Sequence, residues 1–134
     1  MIPSPLAAGI YTAVKVAGYA AFAYGLNRYG GRSVPPFKFA AAKTALGLAG
    51  GVTYLFVIAP AAQIAESSDL ALWIGAIPIR LLVWSIVLAY FYGFRQQPLL
   101  ISLAALAGVS WSYCLDGVMS FFYRWLPGMD MPLC

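Results

Sequence analysis

Four ionisable side chains, Lys15, Lys43, Arg80 and Asp116, fall inside otherwise apolar stretches of this 134-residue chain. An ion at the centre of a lipid-facing helix costs about 2.5–3.5 kcal/mol, so such groups turn inward, reach water or pair. Their depths separate them. Lys43 stands within one turn of the end of its stretch and is expected to snorkel to the interface. Lys15 near the middle of the first stretch, Arg80 just off the centre of the third and Asp116 in the outer half of the fourth have no such exit. An offset of about 6 Å in depth separates Arg80 from Asp116, within reach of an arginine side chain.

Two kinds of chemistry follow. An Arg80–Asp116 pair, bidentate and hydrogen-bonded, would offset both burial costs and lock two helices together. Alternatively, Lys15 and Arg80 are two cations against one carboxylate, and the charge left over would hold an anion, an anionic head group or a carboxylate from a partner helix. The surroundings suit either. Trp73, Ile77, Arg80 and Trp84 share one helix face, which puts indole rings within stacking reach of the guanidinium. Ser112, Tyr113, Asp116, Ser120 and Tyr123 form a polar stripe, and Tyr11 and Tyr19 flank Lys15 one turn to either side. Pro78, two residues before Arg80, removes a backbone hydrogen bond and predicts a kink beside the charge.

Conventional catalytic sets are missing from the sequence. It has no histidine, two cysteines (Cys114 and Cys134) and four scattered acids, Glu66, Asp69, Asp116 and Asp130. Neither a phosphate-binding Walker loop nor a GxSxG nucleophile elbow occurs. The one enzymatic arrangement left is a Ser–Lys dyad between Lys15 and a serine of the fourth stretch. No metal or other cofactor is expected.

The elements that must position these groups are set by composition. Residues are 63% hydrophobic and 9% charged, against about half and a quarter in a soluble domain. Four runs, 6–26, 40–59, 71–94 and 99–121, are long enough as helices to cross a hydrocarbon core of about 30 Å. None alternates in the manner of membrane β-strands. The chain is therefore expected to be an all-α membrane protein, a four-transmembrane-helix bundle forming a single domain.

Arg28, Arg32 and Lys38 in the first connection and Arg95 in the third predict a cytoplasmic location for those loops, which places both termini on the outer side. The membrane expected is a bacterial inner membrane. The basic balance reads as an orientation signal and a contact with anionic lipid, not as a nucleic-acid footprint.

The connections have local causes: Asn27, Gly30 and Gly31 end the first helix, Pro35 and Pro36 open the second, and Pro60 stops it. Ser67-Ser68-Asp69 reads as an N-cap. A disulfide between Cys114 and Cys134 would need the tail to fold back, and two free thiols are the simpler reading. Trp125 and its aromatic neighbours read as an interfacial belt.

Small residues recur every fourth position in the first span at Gly9, Ala13, Ala17, Ala21 and Gly25. The second span has Ala41, Ala45 and Ala49 with Gly47 and Gly51 on a neighbouring face, and the fourth has Ala104, Gly108 and Ser112. Such ladders let helix backbones approach closely. Packing inside the bundle is the first expectation, and an interface with a second copy or another membrane protein is the alternative.

The function these features suggest is a non-enzymatic membrane protein acting as an accessory, regulatory or immunity-type partner of another membrane component, in contact with membrane lipid. The alternatives are a small oligomeric transporter or channel for an anion or lipid-like solute, built on Lys15, Arg80 and Asp116, and a lipid- or quinone-modifying enzyme.

Overall fold

The computed structural model of the chain describes residues 5–30, 33–62, 69–93 and 98–123. It is helical, with no strand among the described residues. Four spans are long and apolar enough to cross a membrane. We label them α1 (Pro5–Gly30), α2 (Pro36–Ala61), α3 (Asp69–Gly75 followed by Ile77–Tyr92) and α4 (Pro98–Tyr123). Packing runs in a ring: α1 lies against α2 and α4, and α3 against the same two. The Ser67-Ser68 cap, Arg32, Arg95, the Cys114–Cys134 pairing and the belt at Trp125 lie outside the described residues.

Which face of α1 points inward follows from the helical period. Its buried residues are Ala7, Tyr11, Lys15, Tyr19 and Ala23, one every fourth position. The small-residue ladder keeps the same spacing two positions on, a rotation of about 200°. The two stripes therefore lie on opposite faces, and only one can enter the bundle. A lysine and tyrosine hydroxyls cannot be left against hydrocarbon without a large penalty, so their stripe goes in.

Gly9, Ala13, Ala17 and Ala21 consequently face outward, and Gly25 is only partly covered. This corrects the expectation of internal packing for that ladder. α2 repeats the pattern. Phe39, Lys43, Gly47 and Gly51 are buried, while Ala41, Ala45 and Ala49 are exposed.

Close approach within the bundle comes from the ladder of α4 and from glycines outside the ladders. Gly108 lies under the indole of Trp84, where a methyl group would overlap the ring. Gly18 takes Leu115 in the same manner, and at Gly50 an added methyl would sit tightly against Ile79 and Val83. Ala104 is half-buried beside the core. The core is centred on Trp84, fully buried, with Tyr19 and Phe22 edge-on at 5.5 and 4.9 Å between ring centroids.

Two prolines reshape their helices without ending the spans. α2 continues through Pro60 to Ala61, because its backbone widens into a π turn over Tyr54–Ile58 in which the Ala59 N–H donates to the Tyr54 carbonyl. The wider turn accommodates a residue that has no N–H and whose ring crowds the preceding turn. Pro60 therefore does not stop the helix as expected. In α3, Pro78 accompanies an interruption at Ala76 (ψ −14°), the break expected beside Arg80. Tyrosine hydroxyls serve that region, Tyr54 donating to the Leu72 carbonyl at 2.8 Å and Tyr113 to the Trp73 carbonyl at 2.7 Å.

At the other end of α3, Gly93 closes the helix in the left-handed region at φ 61°, and its N–H donates to the Ala89 carbonyl. A non-glycine residue there would be strained.

Candidate functional site

The inward stripes of all four helices meet in one polar core. Asp116 of α4 lies between two cations, with Oδ1 facing Lys15 Nζ of α1 and Oδ2 at 2.7 Å from Arg80 Nη1 of α3. Lys15 is 0% exposed, Arg80 3% and Asp116 4%. The Lys15 ammonium also donates to the Ser112 carbonyl at 3.5 Å. Asp116 thus offers one oxygen to each cation, so each buried charge faces one of opposite sign. Arg80 pairs with Asp116 through one oxygen and not by the bidentate contact expected, because the other oxygen faces Lys15. Lys15, read from the sequence as a competing cation, joins the same carboxylate.

Aromatic rings complete the enclosure. Arg80 Cζ stands 4.3 Å from the ring centroid of Tyr113, not over Trp73 or Trp84 as their spacing along α3 suggested. The reason is that Trp84 turns toward α4 and α1, where its Nε1 donates to Ser112 Oγ at 3.0 Å. Trp73 packs on the Tyr113 ring at 6.0 Å. Lys15 Nζ is 5.4 Å from the Tyr11 ring centroid and 5.8 Å from that of Tyr19. Ser120 is exposed and turns its hydroxyl back to the Asp116 carbonyl at 2.9 Å, so it does not join the cluster through its side chain.

Lys43 is the residue whose place the sequence reading missed. It is 2% exposed and does not snorkel. Its Nζ lies 4.5 Å from the Tyr19 ring centroid and 4.9 Å from that of Trp84, so the side chain runs into the bundle. Four residues before it is Phe39 and four after it Gly47, both buried on the same face. That periodicity, more than the distance from the helix end, was the available signal.

Lys43 extends the polar core. From it the core runs through Tyr19 and Trp84 to Ser112 Oγ, which also contacts Tyr19 Oη at 3.3 Å, and on to Lys15, Asp116 and Arg80. Ser112 is buried, with its hydroxyl engaged by both an indole and a phenol. A nucleophile would have to leave both partners, which weighs against the Ser–Lys arrangement.

A second polar feature ties one end of the bundle together. Asn27 Nδ2 donates to the Val34 carbonyl at 2.7 Å, and its Oδ1 accepts from the Val34 N–H at 3.3 Å. Tyr92 donates to the same Oδ1 at 3.0 Å. Asn27 therefore does not end α1, which runs on to Gly30. Instead it clamps the connection to α2 and fastens it to α3.

No family model, curated protein or solved structure matches this chain.

Proposed function

We propose that this chain is a non-enzymatic membrane protein that works by docking: the small-residue face of α1 receives a transmembrane helix of another membrane component. In this reading it is an accessory, regulatory or immunity-type partner in an inner membrane, with both termini outside. The observation that supports it most is the outward direction of Gly9, Ala13, Ala17 and Ala21, while Lys15, Lys43, Arg80 and Asp116 turn inward. Lipid provides no hydrophobic drive for helices to associate, so affinity between spans depends on backbones that can approach closely.

Affinity purification from native membranes in mild detergent tests this reading. A protein partner recovered with the wild-type chain and lost with Ala17→Leu supports it. Recovery of the chain alone from wild-type membranes contradicts it.

One observation favours a second reading, passage of an anion or anionic solute. The polar core holds three buried cations, Lys15, Lys43 and Arg80, and beside Lys43 the buried Thr44 hydroxyl has no hydrogen-bond partner among the described residues. Reconstituted chain would then support anion flux that Lys43→Met abolishes with folding retained.

A further inference from the structure

The end of the bundle where α1 passes to α2 carries a groove of about 650 Å³ lined by Tyr24, Asn27, Arg28, Ser33, Val34 and the two prolines that open α2. Its charge environment is one-sided. No acid occurs before Glu66, whereas Arg28 and Lys38 are both exposed at this end. Arg28 stands in the last turn of α1, and α2 begins with neither a side-chain cap nor an acid in its first turn. Nothing at the start of α2 therefore offsets the positive end of its dipole.

The depth of the groove follows from the aromatic residues around it. Tyr24, Tyr29, Phe37 and Tyr90 are all largely exposed, and the hydrogen bond from Tyr92 to Asn27 brings the end of α3 to the same level. Exposed aromatic rings gathered at one end of a membrane bundle mark the head-group layer. The groove is also held in shape. The two hydrogen bonds between Asn27 and Val34 fix its floor, so an occupant need not order it.

We propose that this groove seats the head group of an anionic phospholipid, its phosphate held by the Arg28 guanidinium and the Ser33 hydroxyl, its acyl chains descending past the exposed ring of Tyr24. A guanidinium matches a phosphate with two parallel hydrogen bonds, which an ammonium cannot do. Lys38, which does not line the groove, contributes attraction at longer range. The assignment is independent of the docking role of α1.

The test is lipid retention, read by native mass spectrometry of the full chain extracted from vesicles holding equal amounts of phosphatidylglycerol and phosphatidylcholine. The wild type is expected to retain phosphatidylglycerol preferentially. Loss of a basic group is expected to lower that retention about fivefold in Arg28→Gln. Arg28→Lys keeps the charge without the fork and should recover only part of it, and Lys38→Gln should fall less than Arg28→Gln. Equal retention of the two lipids by the wild type would overturn the proposal. So would equal losses in Arg28→Gln and Lys38→Gln, which would indicate a diffuse basic surface, or displacement of the lipid by inorganic phosphate at concentrations that bind the groove directly, which would make a soluble anion the occupant. Arg28 is exposed, and an unchanged unfolding temperature confirms that each variant is folded.

Discussion

Asp116 holds Lys15 with one carboxylate oxygen and Arg80 with the other, so one acid on α4 fastens α1 and α3 at once. Removing the acid leaves two buried cations without the carboxylate they share. Asp116→Leu is therefore expected to destabilise the bundle by about 3–5 kcal/mol. Arg80→Met alone should cost less, because Lys15 still holds the carboxylate. In a thermal-unfolding cycle in detergent, the Arg80→Met, Asp116→Leu double variant should be more stable than the sum of the singles requires. Strict additivity would show that the pair does not couple.

Gly108 under Trp84 gives the sharpest steric prediction. Gly108→Ala should cost about 1–3 kcal/mol through displacement of a fully buried indole. Gly9→Ala, with open space around the added methyl, should change the unfolding temperature little. Equal effects would mean that Trp84 does not pack as described.

Lys43 and Lys38 are close in sequence but differ in surroundings, one enclosed by Tyr19 and Trp84 and the other exposed. An amine-reactive reagent applied to the folded protein should modify Lys38 and spare Lys43, with both reacting after denaturation. Peptide mass mapping reads the difference. Comparable labelling of the two in the folded state would return Lys43 to the interface.

The clamp at Asn27 ties the α1–α2 connection to α3, so Tyr92→Phe, which removes the hydroxyl hydrogen bond shared between Asn27 Oδ1 and the Ala23 carbonyl, should cost about 1 kcal/mol. Asn27→Ala breaks three such bonds and should cost more, with the added loss visible as faster proteolysis between Gly30 and Val34. Unchanged proteolysis would separate the clamp from the order of that loop.

The four spans were legible from hydropathy alone, and the Arg80–Asp116 contact from depth and reach. The orientation of α1 was also present in the sequence, as two stripes with one spacing on opposite faces, and the charged stripe decides between them. Lys43 was misplaced because depth was weighed before face: Phe39 and Gly47 show the direction it takes. The choice of Tyr113 over the two tryptophans as the ring beneath Arg80 depends on Trp84 turning to Ser112 of another helix. No periodicity within α3 encodes that contact. Likewise the π turn over Tyr54–Ile58 is an adjustment of backbone to Pro60 that a residue pattern read as a stop.

The central claim is that the outward face of α1 receives a protein helix, and photo-crosslinking in native membranes tests it most directly. A diazirine amino acid placed at position 17, in the exposed small-residue ladder, is compared with one at position 82, where Leu82 is exposed on α3. The account predicts a discrete protein adduct from position 17 and lipid adducts alone from position 82. Lipid adducts alone from position 17, or a protein adduct from position 82 in its place, would contradict it.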